Sequence, residues 1–112
     1  MHSVPFPPRT IIGSETLTVD NTVGGVAFTA TNYWKNMGGH GGTGRQYASM
    51  AFCTVEDQPV RVSVSGAPQA GTAGHEFAAG TSFYLNSADE ISACRAIRTG
   101  GTSGLIHATF YA

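Results

Sequence analysis

The sequence predicts an all-β protein: a single β-sandwich or jelly-roll-like domain of about seven or eight short antiparallel strands, preceded by an extended proline-rich arm. Three observations favour this fold. Only 12% of the residues are charged, 15 of the 112 are glycine, and several short runs alternate between apolar and polar residues. No segment keeps a helical period over the length of an ordinary helix. A chain of this size makes one domain, so we expect the arm in residues 1–10 and the domain in residues 11–112.

The N-terminal arm is predicted because Pro5, Pro7 and Pro8 lie close together. Proline fixes φ and removes a backbone donor, so this stretch has no place inside a sheet. Two interpretations stay open. The arm is a disordered tail, or it docks on a neighbouring subunit through Val4 and Phe6.

Three strands are predicted in the first half of the domain, over residues 11–19, 26–30 and 46–55. Each has side chains of alternating character, the signature of a strand with two faces. The third has apolar residues on both faces, which is typical of a central strand. Residues 32–45, between the second and the third, are predicted to form a long glycine-rich loop.

This loop contains Trp34, the one tryptophan of the chain. Residues 39–44 match the dinucleotide pattern GxGxxG, but a strand and not a helix is predicted to follow, so we reject a phosphate-binding site. Tyr33 and Trp34 have three open interpretations: packing against a sheet edge, a protein interface, or a platform on which a sugar ring stacks.

The second half is predicted to hold strands over residues 60–65 and 82–85, with a short strand around Phe77. Residues 91–99 and 105–111 are predicted to form an antiparallel hairpin across a glycine-rich connector, and residues 86–90 are compatible with one helical turn before it. The run over residues 60–65 has the clearest alternation in the chain.

Composition argues against several classes of partner. The net charge is −1, and Lys35 is the one lysine, so the basic stripe of a nucleic-acid-binding protein is missing. No apolar run is long enough to span a membrane. Residues 1–10 lack the pattern of a secretory signal, so we expect synthesis in a cytoplasm.

No enzyme, cofactor or metal site is predicted. Cys53 and Cys94 have no second metal ligand at a suitable spacing, and we expect both to be buried free thiols. Carboxylates, Glu15 and Asp20 among them, are expected in solvated turns, and there is no nucleophile elbow. The histidines also lack metal-ligand spacing: His2, His40, His75 and His107.

One part of the chain resembles a known family. The run FAAGTSFYL over residues 77–85, DEI over 89–91 and CRAIR over 94–98 resemble small virion accessory proteins of tailed bacteriophages and prophages, of the capsid cement or decoration type. The match covers roughly residues 59–112. The resemblance implies a structural β-sandwich, often a homotrimer, that binds the assembled shell of major capsid protein on the virion surface and stabilises it.

Under that interpretation, we expect contacts to the capsid or to a neighbouring subunit from both the arm and the loop: Val4, Phe6, Arg9, Tyr33, Trp34 and Lys35. Two alternatives stay open. The chain is a small carbohydrate-binding β-sandwich that stacks sugars on Tyr33 and Trp34, or it is a phage tail or baseplate component of the same fold.

Overall fold

A computed structural model of the chain describes residues 10–36, 45–66 and 74–112, with the backbone alone at residues 35, 36 and 45. These residues form mostly antiparallel β-sheet with one short α-helix, which confirms the all-β class. The proline-rich arm predicted for residues 1–10 lies outside the described residues except for Thr10. Thr10 pairs with the last residue of the chain, Ala112, through two backbone hydrogen bonds of 3.2 and 2.9 Å.

The described elements follow one another in this order: β1 (Ile11–Val19), a 3₁₀ turn η1 (Ala30–Asn32), β2 (Trp34–Asn36), β3 (Arg45–Tyr47), β4 (Met50–Glu56), β5 (Val60–Ser63), β6 (His75–Phe77), β7 (Ser82–Leu85), α1 (Ala88–Ala93), β8 (Arg95–Arg98) and β9 (Gly104–Tyr111). They make a four-stranded sheet of order β1-β9-β4-β7, a three-stranded sheet of order β6-β5-β8 and the two-stranded sheet β2-β3. The strands predicted over residues 11–19, 60–65 and 82–85 and around Phe77 are confirmed as β1, β5, β7 and β6.

The four-stranded sheet buries one of its faces. In β9, Ile106, Ala108 and Phe110 are fully buried, while His107 between them is exposed, as the alternation of the sequence predicts. In the neighbouring strand β4, Cys53 lies opposite Ala108 and is also fully buried. One side of this sheet therefore belongs to the core, and the other side points outward.

The hydrophobic core joins the two larger sheets. Val60 of β5 and Ala96 of β8 belong to the same buried cluster as Val55 of β4. The chain segments come very close at Gly104, where a Cβ atom would lie 2.6 Å from the carbonyl oxygen of Gln58 and 2.9 Å from a methyl carbon of Val60. Because no side chain fits there, β9 begins with glycine.

The predicted hairpin of residues 91–99 and 105–111 is wrong. Residues 91–93 end helix α1, and the strand that follows, β8, pairs with β5, whereas β9 pairs with β1 and β4. The strand partners are set by tertiary packing, and a reciprocal cap explains why the chain before β8 is helical. Ser87 Oγ accepts a hydrogen bond from the backbone nitrogen of Glu90 at 3.1 Å, and Glu90 Oε1 accepts one from that of Asn86 at 2.7 Å.

Three other predictions need correction. In the predicted strand 26–30, Val26 makes a single bridge, to Ala96, and the segment ends in η1. The predicted loop 32–45 includes all of β2 and the first residue of β3, and these two strands pair with each other. The predicted strand 46–55 is divided, since β3 and β4 belong to different sheets. Local alternation does not reveal such breaks, because the chain leaves one sheet for the other within two residues.

Candidate functional site

An open cleft of about 440 Å³ lies where η1, β2, β3 and α1 meet. We call it the aromatic cleft. Three aromatic side chains line it together with small and polar residues: Ala30, Tyr33, Trp34, Tyr47, Ala88, Asp89 and Ser92. Two residues predicted to bind a partner or a sugar, Tyr33 and Trp34, are thus brought together in one cavity.

Strand pairing places the aromatic rings. Trp34 of β2 lies directly opposite Tyr47 of β3, and opposite residues of an antiparallel pair project to the same face. Tyr33 packs its ring edgewise on Phe110 of the core, with 5.9 Å between the ring centroids, and its carbonyl accepts a hydrogen bond of 2.8 Å from the backbone nitrogen of Ala48. Tyr33 therefore both packs on the core and lines the cleft.

The turn η1 forms one wall of the aromatic cleft, and hydrogen bonds hold this turn to β1. Glu15 accepts hydrogen bonds from the backbone nitrogen of Thr29 at 2.8 Å, from the Thr29 hydroxyl at 3.1 Å and from Asn32 Nδ2 at 3.2 Å. Gly13 lies so close to the carbonyl oxygen of Asn32 that a Cβ atom at position 13 would overlap it. The expectation that Glu15 lies in a solvated turn is wrong, because this carboxylate sits on a strand and holds the turn.

Charge in the aromatic cleft comes from Asp89. Among the described residues that line the cleft it is the one with a formal charge. It lies in the first turn of α1 and is exposed. Its carboxylate has no hydrogen-bond or ion-pair partner within residues 10–36, 45–66 and 74–112. Aromatic faces and an accessible negative charge thus line the same cavity.

The outward side of the four-stranded sheet is a second candidate surface, which we call the outer face. Phe52 of β4 and Tyr84 of β7 lie opposite each other there, with ring centroids 5.2 Å apart, and Tyr84 is 55% exposed. Met50 and Tyr111 are opposite each other one step along the sheet, and both are partly exposed. Apolar and aromatic side chains therefore continue across three strands.

A polar row crosses the middle of the outer face. Thr16 Oγ1 lies 2.8 Å from His107 Nδ1, and Thr54 Oγ1 lies 3.2 Å from Ser82 Oγ. In register these four residues form one line across the sheet. Among the outward residues of β1, β9, β4 and β7, Glu56 is the one carboxylate, and it stands at the margin. The outer face thus carries very little charge.

The cysteines lie away from both surfaces. Cys53 and Cys94 are free and buried, as predicted. Burial raises the pKa of each thiol to about 12, so both are protonated at neutral pH. The described residues contain no group of three or more histidine, cysteine or acidic side chains able to hold a metal ion.

The other predicted contact residues have different outcomes. Val4, Phe6 and Arg9 lie outside the described residues. The backbone of Lys35 pairs with Gln46 in the β2–β3 sheet, and its side chain is outside what the structure describes.

Sequence reasoning missed Tyr47 and Asp89. Apolar residues that flank a glycine-rich segment on both sides are a hairpin signal, which pairs Trp34 with Tyr47. Nothing local indicates Asp89, because only the tertiary fold brings α1 to this hairpin.

No helix in the described part of the chain has the length and apolar character needed to cross a bilayer. Comparison with protein-family models, with curated proteins and with solved structures found no match to this chain.

Proposed function

We propose that this chain is a structural protein that binds the assembled head of a tailed bacteriophage and stabilises it, as a cement or decoration subunit. In this proposal residues 11–112 form a single jelly-roll-like β-sandwich, and residues 1–10 form an extended arm. The core shared by the two larger sheets supports the sandwich. The motifs of residues 77–98 support the choice of the major capsid protein as partner.

The observation that carries the proposal is the outer face. Protein interfaces are depleted in charged residues at their centre and enriched in tyrosine, phenylalanine and methionine. Phe52, Tyr84, Tyr111 and Met50 supply those side chains on a sheet surface with one marginal carboxylate. A partly exposed apolar area of this kind is typical of a surface that a partner covers.

The remaining contacts follow from the resemblance. The subunits associate as a homotrimer on the virion surface, with Val4, Phe6 and Arg9 reaching a neighbouring subunit or the capsid. Tyr33, Trp34 and Lys35 contact the capsid or a neighbouring subunit as well. No enzymatic step or cofactor takes part.

Cosedimentation with undecorated heads of the encoding phage tests the proposal. We expect the wild-type protein to pellet with the heads and the double variant Phe52→Ser/Tyr84→Ser to stay in the supernatant, with both folded by circular dichroism. Val23→Ser is the matched control, because Val23 is 97% exposed and lies outside the sheets.

Wild-type protein that fails to bind heads would refute the proposal. Binding to tails instead of heads would identify the protein as a tail or baseplate component. Equal binding by the double variant and the control would show that the outer face does not contact the capsid.

The aromatic cleft favours a second candidate, a small carbohydrate-binding module. Tyr33, Trp34 and Tyr47 offer ring faces for stacking on a sugar, and Asp89 and Ser92 offer polar groups for its hydroxyls. A glycan array followed by calorimetry tests this function. Under it Trp34→Ala abolishes glycan retention, whereas under the first proposal the same substitution only reduces occupancy of the capsid.

A further inference from the structure

The aromatic cleft combines ring faces with a carboxylate that has no partner in the described part of the chain. We propose that it binds a basic side chain, lysine or arginine, presented by a protein partner. This inference deepens the proposed function, on which it rests for the identity of the partner, since it names the chemical group that the cleft recognises.

The aromatic rings provide the first part of the recognition. A cation within about 6 Å of a tryptophan or tyrosine ring face is attracted by the ring quadrupole. Trp34 and Tyr47 project to one face of the β2–β3 sheet, and Tyr33 stands beside them with its ring held against Phe110. Because that contact restrains the Tyr33 ring before a ligand arrives, less conformational entropy is lost on binding.

The carboxylate of Asp89 provides the second part. The nearest basic residue along the chain, Arg95, donates from Nη1 to the carbonyl oxygens of Ser92 at 2.9 Å and Cys94 at 2.8 Å. The neighbouring acid, Glu90, accepts from the backbone nitrogen of Asn86. Asp89 is thus left to face the cleft, and a bound cation would complete its interactions.

The charge of the aromatic cleft favours a basic side chain over a neutral sugar as its ligand. Ring faces suit both, but the negative charge of Asp89 attracts only the cation, and no lysine or arginine is among the described lining residues. The cleft volume of about 440 Å³ lies within the range of ligand pockets, about 300–1,000 Å³. An extended basic side chain therefore has room to enter.

Trp34 fluorescence measures binding directly, because the chain has one tryptophan. The full-length protein is titrated with Nα-acetyl-lysine methylamide and with Nα-acetyl-arginine methylamide. The control probe is the Nε-acetylated lysine derivative, which lacks the charge. We expect a saturable change with the charged probes alone, and a weaker affinity at high salt.

Two pairs of variants locate the site. Asp89→Asn should weaken the charged probes about two- to fivefold, whereas Asp57→Asn, in the β4–β5 turn, should leave them unchanged. Tyr47→Leu should weaken them as well, whereas Tyr84→Leu on the outer face should not. Backbone amide spectra confirm that each variant is folded.

An equal response to the neutral lysine derivative would overturn the proposal, as would an Asp89→Asn variant with wild-type affinity. Saturable binding of neutral glycans without any response to the charged probes would assign the cleft to sugars and overturn it too. These titrations contain no capsid. A protein that binds the probes but not phage heads would therefore refute the decoration function and leave the cleft chemistry intact.

Discussion

Glu15 Oε1 accepts a hydrogen bond of 2.8 Å from the backbone nitrogen of Thr29. This contact joins β1, an edge strand of the four-stranded sheet, to the turn that forms one wall of the aromatic cleft. The same carboxylate accepts two further hydrogen bonds, from the Thr29 hydroxyl and from Asn32. The position of the cleft wall therefore depends on a side chain of a strand that does not line the cleft.

We expect Glu15→Ala to lower the free energy of unfolding by about 2 kcal/mol, because three hydrogen bonds to a charged acceptor are lost. Urea denaturation followed by circular dichroism measures the change. Glu56→Ala removes a carboxylate of the exposed sheet margin and should change stability by less than about 0.5 kcal/mol. Equal stability of the two variants would show that Glu15 does not hold the turn.

Gly13→Ala should destabilise the protein by about 1–3 kcal/mol, because the new methyl group overlaps the carbonyl oxygen of Asn32 and the turn must move. The emission maximum of Trp34 should shift as well, since η1 and Trp34 line the same cleft. Gly101→Ala is the control, because a Cβ atom there meets nothing within 4 Å. Thermal unfolding and fluorescence spectra test both effects, and an unshifted, fully stable Gly13→Ala variant would contradict the prediction.

Phe110 should be the most sensitive aromatic residue of the described core. It is fully buried and meets Phe28 and Tyr33 edgewise, with centroid distances of 5.4 and 5.9 Å. Phe110→Ala should cost about 3–5 kcal/mol through the cavity it leaves. Phe52→Ala, on the partly exposed outer face, should cost clearly less. Guanidinium denaturation midpoints compare the two, and a reversed order would mean that the core is centred elsewhere.

Stability should fall at alkaline pH because of Cys53 and Cys94. Burial raises the pKa of both thiols from an ordinary value of 9.0 to about 12, so the folded state holds these protons more tightly than the unfolded state. The contribution of the two thiol protons to the free energy of unfolding is complete below pH 9, and it is lost as the pH rises from about 9 to 12. Within this range, each thiol lowers the free energy of unfolding by about 1.4 kcal/mol per pH unit.

Urea midpoints measured at pH 8, 9.5 and 10.5 test this prediction. The Cys53→Ala variant is the comparison, because its stability should decline less steeply than that of the wild type over the same interval. Parallel declines for the two proteins would show that the Cys53 thiol does not contribute.

Much of the strand content is encoded in short-range patterns. The alternation of β9 predicts that Ile106, Ala108 and Phe110 lie on one face, and all three are fully buried. The apolar alternation of residues 60–65 likewise predicts β5, where Val60 and Val62 are buried. These predictions succeed because successive side chains of a strand point to opposite sides, so the solvent-facing side can be recognised from residue type alone.

At helix α1 the sequence contains two competing short-range signals, one for a helix start and one for a strand. The β-type residues after Ile91 favoured a strand, whereas Ser87 and Glu90 form the reciprocal cap of a helix start. Because residues 88–93 are helical, the strand predicted over residues 91–99 is shortened to β8.

By itself, the sequence determined the all-β class and the buried faces of its clearest strands, and it singled out Tyr33 and Trp34 as candidate contact residues. Only the tertiary structure decided that β8 pairs with β5 while β9 lies between β1 and β4, and that Asp89 joins the two aromatic residues. The physical reason is that backbone donors and acceptors are alike in every strand. A residue pattern therefore marks a strand and its apolar side, whereas its partners are selected by packing between segments distant in the chain.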